Sequence, residues 1–335
     1  MWITSCLETV KKPTVVALGN FDGVHPGHQA VIEPIWLSAQ QFQTIHAAES
    51  HAGEGVVVPT VVTFHPHPRE FFTGKRRDLL TPLEEKAAQL KQLGVEQLVR
   101  LPFDHALSCL SPKAFVDQIL VRSLAAQEIS VGENFCFGHK RAGTAEDLRA
   151  IAARYDIPVH IVPMYTLDGE RVSSSTIRDY LQQGLVRPAA RLLGRPYTLI
   201  GEVVKGQQLG RSLGFPTANL RLPEAKFLPR LGVYAVRVCL HNPAAPDAVP
   251  HSPGTTAEPT LLGVMNLGYR PTVDGSQRRV EVHLLDWAGD LYGKTLIVSL
   301  EAFIRPEQKF DSLDALKAQI QQDCDQARSL LTTSP

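Results

Sequence analysis

The sequence predicts an α/β chain in two parts: a parallel sheet covered by helices, then a small antiparallel β-barrel closed by one terminal helix. Three observations predict it. Up to about residue 184, short β-branched runs alternate with helical patterns, and strands separated by helices pair in parallel with both sheet faces covered. After Pro196 the helical patterns give way to closely spaced short strands with turn residues between them, the pattern of a small barrel. The 335 residues, 44% of them hydrophobic, supply about two domains' worth of chain and core.

Taken in order, residues 14–18 form an apolar run that stops at Gly19-Asn20, and a helix should begin at Pro26, since proline suits the first helical position. Residues 56–64 read as a buried strand interrupted near Pro59. Thr81-Pro82-Leu83-Glu84 has the form of a capping box, and its helix should end at Gly94. Residues 95–101, 128–131 and 157–162 are further strands, with helices from Pro112 and near Ala145 between them. The pattern changes near Gly184, so the expected domains are 1–184 and 196–335, joined by a linker at 185–195 with one short helix bracketed by Pro188 and Gly194. Strands follow at 197–204, 233–240, 261–267, 280–285 and 295–303. Residues 241–259, rich in Pro, Ala, Ser and Thr, read as a long surface hairpin loop. The closing helix should be capped by Asp311 or Ser312, with Leu313, Leu316 and Ile320 sharing a face. No internal repeat is visible.

Composition excludes several classes. Lys plus Arg and Asp plus Glu number 34 each, so no global field draws nucleic acid or an anionic membrane. The cysteines (Cys6, Cys109, Cys136, Cys239, Cys324) are scattered and odd in number, which argues against a disulfide framework or structural zinc and for reduced thiols in the cytosol. Residues 1–13 lack a long apolar stretch, and no apolar run approaches the ~18 residues of a membrane helix. A cytoplasmic protein is expected, with no nucleic-acid or membrane partner; a homo-oligomer is left open.

The densest chemical signal is Gly19-Asn20-Phe21-Asp22-Gly23-Val24-His25-Pro26-Gly27-His28. It lies where the first strand hands over to the first helix, the usual ligand edge of a parallel sheet. Free backbone N–H groups and the helix dipole there favour an anion, and two imidazoles around a glycine can donate to phosphate oxygens. The bland alternative is a tight turn with incidental histidines. The string resembles the H-x-G-H signature of the nucleotidyltransferase superfamily, whose members attack a nucleotide α-phosphate and release pyrophosphate. Thr63-Phe64-His65-Pro66-His67-Pro68 resembles the Phe-x-Pro-His-Pro segment of prokaryotic FAD synthetases. Gly132-Glu133-Asn134-Phe135-Cys136-Phe137-Gly138 resembles their flavin- and nucleotide-contacting loop, with Cys136 read as a packing residue. Arg171-Val172-Ser173-Ser174-Ser175-Thr176-Ile177-Arg178 looks like their second phosphate-binding motif. Standing alone, His65 and His67 could cap a strand and the serine run could be an ordinary helix cap.

In the second half, Gly289-Asp290-Leu291-Tyr292-Gly293-Lys294-Thr295 has one residue too few between its glycines for a P-loop and reads as a hairpin turn. Gly206 and then Gly210-Arg211-Ser212-Leu213-Gly214-Phe215-Pro216-Thr217-Ala218-Asn219 form a glycine-rich basic segment. It resembles the signature of riboflavin kinases; taken alone, residues 216–219 could be a plain turn. Gly263 to Thr272, which contains Asn266 and Arg270, and Glu281-Val282-His283-Leu284-Leu285-Asp286 follow in the same family's order. Glu281 and His283 should point the same way on a strand of period two. Lys205 stands where many family members carry histidine, and the 241–259 loop is longer than usual.

The resemblance spans nearly the whole chain and implies a bifunctional riboflavin kinase and FAD synthetase. The implied fold is a Rossmann-like nucleotidyltransferase domain followed by a riboflavin kinase barrel. The implied substrates and products are ATP, riboflavin, FMN and FAD, with Mg²⁺ as cofactor. The implied nucleotidyltransferase residues are His25 and His28 at the transferring phosphate, with Gly19, Phe21, Asp22, Phe64, His67, Asn134, Phe135, Arg171, Ser174, Ser175 and Arg178 in binding. In the kinase, Glu281 is the implied base and Thr217 and Asn219 the metal ligands. Gly206, Gly210, Arg211, Gly214, Phe215 and Pro216 would cover the ATP phosphates, and Asn266 and Arg270 would lie beside the flavin. Two alternatives stand against this: a riboflavin kinase whose first domain transfers a nucleotide to another acceptor, and a non-enzymatic flavin-binding protein.

Overall fold

The computed structural model describes residues 1–48, 56–206, 210, 213–241, 260–272 and 275–332. They form two compact units, Met1–Ser173 and Ser174–Pro335. The division falls earlier than the break expected at Gly184.

The first unit runs β1 (Trp2–Thr4), β2 (Thr14–Leu18), α1 (Pro26–Ala48), β3 (Val58–His65), α2 (Pro68–Thr73), α3 (Leu83–Gln92) and β4 (Gln97–Pro102). It continues through α4 (His105–Ser108), α5 (Pro112–Phe115), a π-helical stretch Val116–Ser123, and β5 (Ala126–Gly132). A hairpin of β6 (Cys136–Phe137) and β7 (Gly143–Thr144), then α6 (Ala145–Ala152), β8 (Val159–Val162) and a hairpin of β9 (Thr166–Leu167) and β10 (Glu170–Arg171) complete it. The six-stranded sheet has the order β1-β4-β3-β2-β5-β8 and is parallel throughout. Every residue of β2 is buried. Alternation sends Val16 and Leu18 into one core with Ile129 and Val131, and Val15 and Ala17 into another with Ile32 and Ile35 of α1. Strand order reverses at β2, which has β3 on one side and β5 on the other. That reversal opens a crevice at the carboxyl ends of β2 and β5, the usual ligand position of an open α/β sheet.

The second unit begins with α7 (Ser174–Gln183) and α8 (Val186–Leu193). The helix bracketed by Pro188 and Gly194 is α8, which buries Val186, Ala189, Leu192 and Leu193 and is ended by Gly194 at φ 77°. Then come β11 (Tyr197–Val204), β12 (Ala218–Arg221), β13 (Gly232–Leu240), β14 (Leu261–Thr272), β15 (Gly275–Leu284), β16 (Thr295–Arg305) and α9 (Leu313–Thr332). The strands close a barrel in the order β11-β12-β15-β14-β13-β16, antiparallel at every pairing. Val280, Val282 and Leu284 are buried while Glu281 and His283 are only partly covered, so β15 turns its apolar face inward and its polar face outward. α9 covers another part of the outer wall, packing Cys324, Ala327 and Leu331 on Val233, Ala235, Val264 and Ala302. Asp323, buried on α9, holds it there: its carboxylate accepts from Nε and Nη2 of Arg305 on β16 at 2.9 and 2.7 Å. Burial pushes the neighbouring Cys324 thiol up to about 11.

Four details differ from the sequence reading. Pro59 does not interrupt β3; it is the second residue, where its carbonyl accepts from Glu96 N at 3.0 Å and its missing N–H is harmless. Thr81 is not a cap, because its hydroxyl is engaged elsewhere and Pro82 opens α3 without a side-chain bond. Leu313 is 62% exposed, outside the buried face of α9, while Ser312 does accept from Ala315 N at 3.1 Å. β1 and β12 were not anticipated. Most of the expected 241–259 loop lies outside the described residues. No helix among the described residues is long and apolar enough to cross a membrane.

Candidate functional site

In the first unit, the loop from Gly19 to His25 bridges β2 and α1 through backbone that resists an ordinary side chain. Phe21, Gly23 and Val24 hold φ of 47°, 93° and 43°, and two of these are not glycine, so the surroundings must enforce the shape. Phe21 and Val24 do so from below, each 1% exposed in the core. From the side, Thr81 N donates to Asp22 Oδ1 at 3.2 Å and Gly23 N donates to Thr81 Oγ1 at 2.8 Å. Lys86 Nζ donates to the Asn20 carbonyl at 2.7 Å. Gly19 lies against the Phe21 ring, 3.1 Å from where a Cβ would stand.

The result is a pair of imidazoles at the start of α1. His25 and His28 stack with centroids 3.6 Å apart and planes 16° apart, and Phe21 meets His28 edge-on at 5.4 Å. His28 N donates to the His25 carbonyl at 2.7 Å and lies 3.3 Å from His25 Nδ1, which puts the proton of a neutral His25 ring on Nε2. A Cβ at Gly27 would come within 3.3 Å of His25 Nδ1 and 3.2 Å of Tyr165. The expected His25-x-Gly27-His28 grouping is therefore assembled at a helix N-terminus, at the sheet's switch point.

The neighbouring predicted residues divide. Asn134 and Phe135 lie in the turn that follows β5 at the same sheet edge, with Phe135 N donating to the Gly132 carbonyl at 2.9 Å; Cys136 is only partly buried. Phe64, the penultimate residue of β3, lies edge-on to Phe103 at 5.9 Å. His65 is held below the usual histidine range by burial first, then by Arg100 and Lys86, against an opposing pull from Glu70. His67 caps α2: Nδ1 accepts from Arg69 N at 3.0 Å and Glu70 Oε2 accepts from His67 N at 2.9 Å. Arg171 belongs to β10 of the first unit, whereas Ser174 and Ser175 open α7 of the second. Arg178 donates to the Ser174 carbonyl at 3.2 Å and lies 5.6 Å from the Phe227 ring.

On the barrel's outer wall, strand register gathers the second set. Glu281 on β15 is directly opposite Asn219 on β12 and Asn266 on β14, so three polar side chains cross three strands in one row. A Cβ at Gly206 would fall 2.3–2.6 Å from the Asn219 amide group, and one at Gly210 would fall 2.3 Å from the Phe215 carbonyl and 3.4 Å from Thr217 Cγ2. Gly206 thus lies directly on Asn219 and Gly210 beside Thr217, and Gly214 turns with φ of 90°. Arg211 lies outside the described residues, as does the Arg270 side chain; its backbone pairs with Gln277 in the β14–β15 ladder.

Two contributors were not assigned from sequence. His283 Nδ1 donates to the Pro216 carbonyl at 2.8 Å and meets Phe215 edge-on at 5.5 Å, tying the Phe215–Thr217 segment to β15. Arg279 Nη2 donates to Glu281 Oε1 at 2.5 Å. The period-two spacing of Arg279, Glu281 and His283 was the legible signal that they share a face. Thr217 and Asn219 offer hard oxygens suited to Mg²⁺, and no group of three His, Cys, Asp or Glu among the described residues could hold a metal. A cation here would lean on phosphate oxygens.

Comparison with known proteins gives two family matches: a FAD synthetase model over residues 7–176 and a riboflavin kinase model over residues 193–331. A bifunctional riboflavin kinase/FMN adenylyltransferase of Pseudomonas fluorescens is 39% identical over 321 residues, covering 96% of this chain and 94% of the relative. Proteins of the same description from Listeria monocytogenes and Escherichia coli K12 are 36% and 37% identical, each covering 92% of this chain and 90% of the relative. A crystal structure titled as a macrolide-efflux protein from Streptococcus pneumoniae superposes with a TM-score of 0.80 at 29% identity, covering 97% of this chain and 98% of that one.

Proposed function

The chain belongs to the family of bifunctional riboflavin kinase/FMN adenylyltransferases, and on that premise we propose how its two sites divide the work. The protein phosphorylates riboflavin to FMN with ATP and adenylylates FMN to FAD with release of pyrophosphate. We assign adenylyl transfer to 1–184 and the kinase to 196–335, with 185–195 between them. The substrates are small molecules, and the working compartment is the cytoplasm.

The observation that carries the kinase assignment is the row Asn219–Glu281–Asn266. A primary hydroxyl loses its proton only as it attacks phosphorus, so a carboxylate must lie within hydrogen-bond reach of it. Glu281 is that carboxylate, and Arg279 aims it. Thr217 and Asn219 would hold Mg²⁺, which neutralises phosphate charge in such transfers. The glycines let backbone close over the phosphates of ATP, while Asn266 and Arg270 flank the flavin. In the first unit, His25 and His28 donate to the phosphate on which charge develops, next to the α1 N-terminus. Asn134 and Phe135 line the same crevice for the flavin nucleotide, Phe64 and His67 border it, and Arg171 serves phosphates; in the second unit, Ser174, Ser175 and Arg178 at the start of α7 serve as phosphate-binding residues by their motif. The other-acceptor reading is not favoured, because the FAD synthetase match takes in nearly all of the first unit.

Incubation with riboflavin, ATP and Mg²⁺ followed by chromatography tests this directly. FAD is the expected product; accumulation of FMN alone would remove the adenylyltransferase, and unchanged riboflavin would remove the kinase, leaving FAD formation from supplied FMN to decide the adenylyltransferase.

A further inference from the structure

Lys86 is a charged side chain in an unusual place. It lies on α3, is 8% exposed, and is surrounded by the buried face of that helix, which includes Glu85, Gln89 and Leu90. Lysine is rarely buried unless something specific receives it. What receives it is the Asn20 carbonyl, 2.7 Å from Nζ, at the start of the segment whose residues 21, 23 and 24 carry positive φ. Thr81, just ahead of the same helix, holds Asp22 and Gly23 from the other side. A strained loop keeps its shape only while such contacts outnumber its ways of relaxing.

We propose that Lys86 is a positioning residue for adenylyl transfer, its ammonium fixing the Asn20–Val24 segment that presents His25 and His28. The proposal rests on the reading of those histidines as phosphate donors. Its chemistry is a charge-assisted hydrogen bond made by a group that touches no substrate. The charged groups facing Lys86 are Asp22 from the loop and Arg100 from β4, with His65 at the end of β3 also within its field. Burial lowers the Lys86 pKa, Asp22 opposes that, and Arg100 reinforces it. The sign follows: Lys86 loses its proton at a lower pH than a solvated lysine, and the hold on Asn20 weakens as pH rises through that value.

Two variants test it, with FAD formation from supplied FMN and FMN formation from riboflavin measured on the same preparations. Lys86→Met should cut FAD formation about 10- to 100-fold, the range for a lost hydrogen bond to a charged group, and leave FMN formation unchanged. Lys86→Arg keeps its charge at all accessible pH; it should retain most FAD formation and carry it to higher pH than the natural chain. A merely structural lysine would not move that alkaline limb. Near-normal FAD formation by Lys86→Met, or coincident alkaline limbs for the natural chain and Lys86→Arg, overturns the proposal. If Lys86→Met fails to fold, the comparison of limbs decides alone. His28→Ala separates the premise: if it spares FAD formation, the reading of the site has failed whatever Lys86 does.

Discussion

On the outward face of β15 the residues 279, 281 and 283 are Arg, Glu and His, and each has a defined partner. Glu281→Gln keeps the size and the bonds to its neighbours but cannot accept a proton at neutral pH. It should lower FMN formation by roughly 10²–10⁴-fold, the range for a lost general base, leave riboflavin binding near normal, and leave FAD formation from supplied FMN untouched. Rapid-quench assay of riboflavin phosphorylation checks it; a near-natural rate would leave positioning alone to account for the step. Glu281, Thr217 and Asn219 were legible because they fall inside long motifs. Lys86 and Arg279 were not: in sequence a buried lysine and an arginine that pairs with Glu281 look like ordinary surface charges, and only packing and register distinguish them.

Whole elements were legible where local pattern and tertiary demand agree. β2 and β11 have the bounds their apolar runs suggest. β12 escaped because its four residues follow a proline-threonine turn and look like part of it, yet the barrel cannot close without them. Thr81 shows a local signal overruled: the four-residue pattern fits a helix cap, but the hydroxyl accepts from Gly23 N in the loop after β2. This makes Thr81→Val informative. It removes the hydroxyl that accepts from Gly23 N, a hydrogen bond that contributes about 0.5–1.5 kcal/mol, and should lower the unfolding temperature and FAD formation together while FMN formation continues. Parallel thermal scans and flavin assays on one preparation would show it.

For the molecule as a whole, the position of α7 decides where it can be cut. Ile177 and Leu181 on α7 are fully buried, and the Leu181 carbonyl accepts from Arg230 N at 2.8 Å. A Cβ at Gly184 would lie 3.2 Å from the Phe303 ring of β16. A fragment of residues 174–335 should therefore fold and phosphorylate riboflavin unaided. One that starts at Arg187 sheds those two buried side chains and should unfold roughly 6–24 °C lower, since about 1.5–3 kcal/mol is lost per buried aliphatic side chain and each kcal/mol moves the midpoint about 2–4 °C. Calorimetry of the two fragments, beside their kinase rates, makes the comparison.

The Cys324 thiol under α9 carries a consequence for measuring motion. Its folded-state pKa of about 11 leaves almost no thiolate at neutral pH, and at 2% exposure no reagent reaches it. Alkylation must wait until α9 lifts from β13 and β14, so the labelling rate counts those openings. Cys6 and Cys109 are exposed and should react within the mixing time of an ordinary maleimide experiment. Mass spectrometry of peptides bearing each thiol would then turn one buried side chain into a clock for the detachment of the helix, and Asp323→Ala, which frees Arg305 from its carboxylate, should make that clock run faster.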